Sequence, residues 1–244
     1  MSVILRDAWS TLVPGRDVKH GPLPPLLVGL TLVTGLVDAF SYLVLGHVFV
    51  ANMTGNVVFL AFAVLGASGF SVAASATALG AFLVGALAGG RLVHQVHRHR
   101  GKMLYGALGL EAVLVLASYL TAELVDSPSS GGARYVLIVL LGVAMGVQNA
   151  VARALTVPDL TTTVLTMTLT GMAADSRLAG GPGGKIGRRS LSAVALFLGA
   201  LIGAATVLHS DDAVPLLIGG LLLALAFLAA FSLPRATAEW VGGK

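Results

Sequence analysis

Four polar side chains share one face of a segment that is otherwise apolar. Thr31, Thr34, Asp38 and Ser41 are spaced by three and four residues, which places them on the same side of a helix, with Tyr42 beside them. A charged group within a bilayer costs about 2.5–3.5 kcal/mol on insertion scales, so Asp38 is expected to face the protein interior or a water-filled cavity. Two roles remain open for it: a structural carboxylate that pairs with a neighbouring helix, or a protonatable site that contacts a solute.

Glu111 and Arg153 are two further ionisable residues inside apolar segments. Both are candidates for coupling or charge pairing, and the alternative for Arg153 is that its long side chain extends to the membrane surface. Gln148 and Asn149 lie close to Arg153, and Asn149 shares a helix face with it at a spacing of four residues. These two amides are candidates for solute binding, with hydrogen bonding between helices as the alternative.

The composition indicates what kind of protein holds these groups. Of the 244 residues, 56% are hydrophobic and 11% are charged, whereas soluble domains carry about 25% charged residues. A chain this apolar is expected to be an all-α polytopic membrane protein in contact with the lipid bilayer, without a separate soluble domain. Cys is absent, which excludes disulfides and thiolate metal ligands. The net charge of +4 is not evidence of nucleic-acid binding, because the positions of Lys and Arg in a membrane protein report its orientation first.

The sequence predicts no metal site and no other cofactor. His94, His97 and His99 have a spacing compatible with metal ligands, but no carboxylate lies near them in sequence, and Arg98 and Arg100 repel a cation. A basic loop that contacts anionic lipid headgroups is the better interpretation of this stretch.

Eight apolar segments can be marked along the chain. They are 26–45, 50–65, 72–93, 103–120, 135–157, 160–174, 191–208 and 214–231. A membrane-spanning helix needs about 20 residues, and the second and sixth segments are both short and interrupted by polar residues. If those two segments enter and leave the membrane on one side, every cluster of Lys and Arg falls on the same face. The sequence therefore predicts six transmembrane helices, two short re-entrant or broken segments, and both termini in the cytoplasm.

The two halves of the chain correspond when the sequence is shifted by 111 positions. Gly35 and Asp38 then align with Gly146 and Asn149, and the two short segments also align. Because each half holds three spans, the second half runs in the opposite direction, as in the inverted repeats of many secondary transporters. The predicted organisation is a cytoplasmic tail at 1–25, membrane repeats at 26–122 and 135–233, and a cytoplasmic tail at 234–244.

Each short segment is predicted to begin with a helix terminus near the middle of the membrane. Asn52 and Thr54 are good capping residues, and Pro158 breaks the helix ahead of a run of threonines in the second half. Helix N-termini at this depth would attract an anion or carboxylate, unless their caps are satisfied locally. The predicted solute-binding residues are Asp38, Ser41, Tyr42, Asn52, Thr54, Asn56, Gln148, Asn149, Thr161, Thr162 and Thr163.

The same residues carry a resemblance to a known family. Asp38-Ala39, the stretch Phe49 to Asn56 and the stretch Gly146 to Ala150 resemble the YoaK-type bacterial inner-membrane proteins, over about residues 25–232. The resemblance implies a multi-pass protein of the bacterial plasma membrane with about six spans. It implies no substrate, because the family has no settled activity.

The leading hypothesis is a small-solute transporter or channel, not an enzyme, with its site between the two repeats. The helix termini favour an anionic group on the solute, and Asp38 suits a proton or a cation, so proton-linked movement of a carboxylate-bearing molecule is expected. A membrane scaffold without transport is the first alternative, and a homo-oligomer is compatible with either. The second alternative is a rhomboid-type intramembrane protease with Ser68 as nucleophile and His47 or His209 as base.

Overall fold

The computed structural model describes residues 3–13, 19–96, 99–125, 127–163, 165–181 and 186–242. This part of the chain is all-α and contains no β-strand. Its helices are α1 (Val3–Leu12), α2 (Leu23–Val44), α3 (Met53–Val64), α4 (Val72–Gln95), α5 (Arg100–Glu123), α6 (Gly131–Leu155), α7 (Leu165–Ala174), α8 (Ile186–His209) and α9 (Val214–Ala229). His97 and Arg98 of the histidine-rich stretch lie outside the described residues.

Among the described residues, six helices are long and apolar enough to cross a membrane, as the hydropathy predicts. Five of them, α2, α4, α5, α6 and α8, have 22 to 25 residues, and the sixth span continues from α9 to Arg235. Side chains such as Leu27, Leu108 and Leu141 are fully buried between the helices, whereas Leu83 is 62% exposed on the outside. Large apolar side chains on the outer surface are expected where helices face lipid.

Local sequence sets the ends of two helices that position the site. α6 ends at Leu155 because Thr156 adopts a left-handed conformation, with a φ of 51°, and Pro158 cannot continue a helix. α3 begins after Asn52, whose side chain accepts a hydrogen bond from the Gly55 backbone N–H at 3.4 Å. Asn52 is therefore the helix cap that the sequence predicts.

Two arginines mark opposite ends of the helix bundle. Arg100, at the start of α5, donates hydrogen bonds to the carbonyl of Leu155 at the end of α6 and to the carbonyl of Trp240, the latter at 3.1 Å. Arg134, near the start of α6, donates to the carbonyl of Leu45, just after α2, at 2.7 Å. We call these the Arg100 end and the Arg134 end.

The first short segment enters and leaves at the Arg134 end. The chain leaves α2 at Val44 and folds back so that residues 50–51 hydrogen-bond Asp38, which lies six residues inside α2, or about 9 Å at 1.5 Å per residue. α3 has 12 residues and leads to Gly69, whose carbonyl accepts a hydrogen bond from His47 in the loop after α2. α3 is thus too short to cross the membrane, and the chain returns to the Arg134 end.

The second short segment follows the same path at the Arg100 end. α6 ends at Leu155, and Thr163 hydrogen-bonds Asn149, again six residues before the helix end. α7 has 10 residues and leads to Asp175, which pairs with Arg189 in the first turn of α8. The prediction of six spans with two re-entrant segments is therefore confirmed.

Glycines at equivalent places bring the two halves into matching contacts. A Cβ added to Gly35 would lie 2.3 Å from the Leu196 carbonyl oxygen on α8, and one added to Gly146 would lie 2.2 Å from the Phe82 carbonyl oxygen on α4. An offset of 111 relates the two glycines, and an offset of 114 relates their partners. The crossing of α2 with α8 and that of α6 with α4 are thus alike, which is consistent with the predicted inverted repeat.

The sequence does not predict α1. Residues 1–25 read as a polar tail, yet Val3–Leu12 is helical and packs against α8. The Asp7 carboxylate accepts a hydrogen bond from the Arg188 backbone N–H at 3.0 Å, and the Thr11 hydroxyl accepts one from Arg188 Nε at 3.3 Å. These bonds fasten the N-terminal helix to the first turn of α8.

Candidate functional site

A cavity of about 630 Å³ lies where the two short segments meet the bundle. Asp38, Asn52 and Thr54 line it from the first half, and Asn149 and Thr163 line it from the second half. Its other described lining residues are Thr34, Ala51, Met53, Gly55, Val58, Phe59, Phe82, Leu165, Thr166 and Leu196. The volume falls in the range of about 300–1,000 Å³ that is typical of small-molecule sites.

The lining residues correspond between the two halves. The offset of 111 relates Asp38 to Asn149, and the offset of 114 relates Phe82 on α4 to Leu196 on α8. The two halves therefore present the same positions to the cavity but different side chains. The first half contributes a carboxylate and an aromatic ring where the second contributes an amide and an aliphatic group.

One carboxylate oxygen of Asp38 holds the chain that lines the cavity. Oδ1 accepts hydrogen bonds from the backbone N–H groups of Val50 at 3.1 Å and Ala51 at 2.9 Å. Oδ2 forms no hydrogen bond within the described ranges, and the residue is partly exposed along the cavity. Asp38 therefore fixes the loop before α3 with one oxygen and leaves the other available to a ligand.

Asn149 holds the second segment in a comparable way. Its Nδ2 donates to the Met145 carbonyl at 2.9 Å, and its Oδ1 accepts a hydrogen bond from the Thr163 hydroxyl at 2.5 Å. The first bond orients the amide on α6, and the second ties residue 163 to it. A neutral amide thus does on this side what a carboxylate does on the other.

Gln148 connects the two halves beside the cavity. Its Nε2 donates to the Thr34 hydroxyl at 2.8 Å, and Thr34 lines the cavity whereas Gln148 does not. Gln148 is buried, and its Oε1 has no hydrogen-bond partner among the described residues. Hydrogen bonding between helices, the alternative for this residue, is what the structure shows.

Ser41 and Tyr42 lie away from the cavity, although both share a helix face with Asp38. The Ser41 hydroxyl donates to the Asp38 carbonyl at 3.2 Å. The Tyr42 ring stacks on Phe49, with ring centroids 5.0 Å apart, and meets the His47 ring edge-on at 5.1 Å. Both side chains take part in packing at the Arg134 end instead of lining the site.

Asn56 is buried and closes the first segment on itself. Its Oδ1 accepts a hydrogen bond from the Phe49 backbone N–H at 2.9 Å, and its Nδ2 donates to the Phe49 carbonyl at 2.5 Å. One side chain therefore satisfies both polar groups of a backbone position inside the bundle. This position makes Asn56 a clip for the segment, and it does not line the cavity.

Thr161 and Thr162 border a separate space of about 10 Å³, together with Thr31 and Ser192. That volume is at the lower limit for a single water molecule. Thr162 is buried with a φ of 63°, and its hydroxyl has no partner within the described part of the chain. Of the predicted threonines in the second segment, Thr161 to Thr163, only Thr163 lines the large cavity.

The two other predicted ionisable residues also lie outside the cavity lining. Glu111 is fully buried in α5, and neither carboxyl oxygen has a hydrogen-bond partner among the described residues. Arg153 is exposed and forms no ion pair in the same part of the chain. The ion pairs that the structure shows join Arg189 to Asp159 at 2.8 Å and to Asp175 at 2.7 Å.

The serine proposed for the protease alternative lies beside His47. His47 Nδ1 donates to the Gly69 carbonyl at 2.9 Å, and Ser68 forms no hydrogen bond with either histidine in the described ranges. Ser68 is exposed in the loop between α3 and α4 at the Arg134 end. It lies outside the cavity lining.

Sequence reasoning missed the contributions of α4 and α8. Phe82 and Leu196 are apolar residues in spanning helices, so they read as ordinary packing positions. The repeat could have indicated them. Phe82 lies where α4 crosses α6 at Gly146, and Gly146 is three residues before Asn149 in α6. A residue at that crossing must lie near the polar face of α6.

Asp38 is the only ionisable side chain among the described lining residues. The remaining polar groups are hydroxyls and amides, from Thr34, Asn52, Thr54, Asn149, Thr163 and Thr166. No three His, Cys, Asp or Glu side chains come together in the described ranges, so they offer no metal-ligand set. The arrangement suits a small polar molecule that contacts one carboxylate and several hydrogen-bonding groups.

Comparison with known proteins gives a family without an assigned activity. A family model described as a protein of unknown function (DUF1275) matches residues 26–229. The UPF0700 transmembrane protein YoaK of Bacillus subtilis (strain 168) is 36% identical over 152 residues, which cover 62% of this chain and 65% of that protein. The chain thus aligns with just under two thirds of the relative's length. No solved structure matches the chain.

Proposed function

The chain belongs to the DUF1275 family, whose function is unknown, and on this premise we propose that it moves a small polar solute across the membrane. Its six apolar helices make it a multi-pass membrane protein, and the YoaK relative is named as a transmembrane protein. The proposed solute site is the cavity between the two halves. The proposal covers a transporter and a channel, and the tests below apply to both.

The observation that carries the proposal is a cavity with one carboxylate and several hydrogen-bonding groups, lined by residues of both halves where the two short helices begin. Non-helical backbone inside a bilayer is stable only when it is buried in protein or lines a water-filled cavity. Interrupted segments at matching places in two repeats are the usual site of substrate binding in secondary transporters. A scaffold needs neither the cavity nor the second interrupted segment.

The two segments also suggest how the site is closed. The first lines the cavity and is attached at the Arg134 end, and the second lines it and is attached at the Arg100 end. Displacement of one segment at a time would expose the site to one side of the membrane, which is the requirement for alternating access. Proton linkage is the finer part of the proposal, because Asp38 offers a carboxylate oxygen to the same space.

We place the Arg100 end in the cytoplasm of a bacterial cell and both termini with it. Arg100, Arg188 and Arg189 all lie at the first turns of helices that begin there, whereas Arg134 is the strong cation near the other end. Because the chain has no Cys, single cysteines can report this orientation without background. Cysteine at position 97 should label only from the cytoplasm, and Pro128→Cys should label from outside.

Solute-dependent thermal stabilisation of the purified protein, across a library of small metabolites, tests the function. A solute of the site should raise the melting temperature, and its uptake into proteoliposomes should follow. Both effects should be lost in Asp38→Asn and kept in Asp211→Asn, a matched change in the loop before α9. Uptake that is equal in wild-type and Asp38→Asn protein would remove the cavity from the mechanism. A folded protein that binds no solute and supports no uptake would favour the scaffold.

A further inference from the structure

Resting on the proposed transport function, we propose that the solute is a small organic cation, a primary or quaternary ammonium compound, held by Asp38 between Phe59 and Phe82. The cavity lining supplies one carboxylate oxygen without a hydrogen bond from the described chain, and the aromatic residues Phe59 and Phe82. A carboxylate with aromatic faces is a combination that recognises ammonium groups in proteins.

The charge of the lining favours a cation over an anion. Asp38 contributes a negative group, and the described lining contains no Lys, Arg or His to offset it. A carboxylate on the solute would therefore meet a like charge in a site of low dielectric, where repulsion is strong. A solute with one positive charge would leave the occupied site neutral.

Backbone N–H groups beside the first of the two predicted helix termini already have acceptors within the protein. Its Oδ1 accepts the N–H groups of Val50 and Ala51, and Asn52 accepts the N–H of Gly55 in the first turn of α3. Side chains of the protein thus satisfy two N–H groups just before α3 and one in its first turn. The expectation of a carboxylate-bearing solute is therefore replaced by that of a cation.

The size and shape of the lining favour an organic cation over a metal ion. The cavity of about 630 Å³ far exceeds a metal-ligand cage, and the described residues group no three metal-binding side chains. Apolar residues line it beside the carboxylate, including Met53, Val58 and Leu196. The second half presents Asn149 and Leu196 where the first has Asp38 and Phe82. A solute with a charged group for the first half and an uncharged remainder for the second half would therefore fit the cavity.

A single cysteine in the cavity measures this charge preference without knowledge of the solute. Thr54 lines the cavity and is exposed, and the chain has no native Cys. Thr54→Cys protein in membranes is treated with cationic trimethylammonium-ethyl, neutral methyl and anionic sulfonato-ethyl methanethiosulfonate. Each labelling rate is divided by the reagent's rate with a free small-molecule thiol. The cationic reagent should react about tenfold faster than the anionic one, the factor that 1.4 kcal/mol produces.

Two second-site variants identify the source of the preference. Asp38→Asn keeps an acceptor for Val50 and Ala51 but removes the charge, and it should reduce the cation-to-anion ratio severalfold, whereas Asp38→Glu should retain it. Ser129→Cys, in an exposed loop away from the cavity, should show a ratio that Asp38→Asn does not change. Choline should protect Thr54→Cys better than its neutral isostere 3,3-dimethylbutan-1-ol. Phe82→Leu should weaken that protection by about 2- to 30-fold.

The outcomes separate this inference from the function on which it rests. Equal labelling by the three reagents, faster anionic labelling, or equal protection by the neutral isostere would overturn the organic cation and leave a solute site in place. A cysteine at position 54 that no reagent reaches from either side of the membrane would remove the site. In that case the proposed function would fall together with the inference.

Discussion

The two re-entrant segments have the same path through the bundle and different means of attachment. The first, residues 45–71 with α3, is fixed by hydrogen bonds of the Asn56 and Asp38 side chains and by stacked aromatic rings. The second, residues 156–175 with α7, is fixed at its ends by ion pairs with Arg189. Segments at corresponding places in the two halves of the chain are thus attached by different side-chain contacts.

The two segments also differ in backbone conformation. In the second segment Thr156, Asp159 and Thr162 have φ values of 51°, 65° and 63°. In the first segment, His47 is the one described non-glycine residue with a positive φ. A left-handed conformation at such residues costs about 1–3 kcal/mol each. Asp175 is also 48% exposed, so its ion pair with Arg189 is weakened by solvent. We infer that the second segment opens more readily than the first.

The largest expected loss of stability follows from a substitution in the first segment. Asn56→Ala removes two hydrogen bonds and leaves the Phe49 N–H and carbonyl without partners inside the bundle. Two buried unsatisfied groups cost about 2–4 kcal/mol, so the melting temperature should fall clearly. Thr77→Ala, which removes an exposed hydroxyl bonded within its own helix, should have little effect. Equal melting temperatures for the two variants would contradict the role of the clip.

An intermediate effect is expected at the ion pairs of the second segment. Arg189→Gln should lower stability by about 1 kcal/mol, because the pairs are partly exposed, and should speed hydrogen exchange in residues 156–175 only. Raising the salt concentration should act in the same direction on wild-type protein through screening. Faster exchange in residues 45–64 as well would show that the two segments open together, and the comparison between them would fail.

The smallest effect is expected from relief of strain at Thr162. Thr162→Gly removes a β-branched residue from a left-handed conformation and a buried hydroxyl without a described partner, so stability should rise by about 0.5–1 kcal/mol. Thr161→Gly is the matched control, because Thr161 is exposed and has no positive φ; it should be neutral or destabilising. Thermal unfolding of the two variants side by side gives the answer, and a loss of stability in both would argue against stored strain.

Most of the fold could be predicted from hydropathy and charge, because lipid permits few arrangements of a chain this apolar. The residues that line the cavity were harder to predict. Asp38 could be identified because an ionisable residue in a membrane helix must have an environment that accepts it. Asn52 and Asn56 could not be told apart, since both are amides near the start of one helix. Only the position of the Phe49 peptide decides that Asn56 is a clip while Asn52 lines the cavity.

The remaining misses have a common physical reason. α1 carries no span-length apolar signal, and its attachment depends on Arg188, which is far away in sequence. Phe82 lines the cavity only because glycines let α4 and α6 approach closely. Tertiary contacts of this kind leave little trace in local composition or periodicity. The repeat offset is the sequence signal that relates residues more than 100 positions apart.

The Arg100 contacts set an order of events during biosynthesis. Its guanidinium binds the Lys19 carbonyl, made long before it, and the Trp240 carbonyl, made 140 residues later. At about 5–20 residues per second, the first membrane helices must wait in the translocation machinery or in lipid for roughly ten seconds or more before this junction is complete. During that interval a cation that is buried in the finished protein lacks one of its final acceptors, so this junction gains its full stability only when the C-terminal residues are in place.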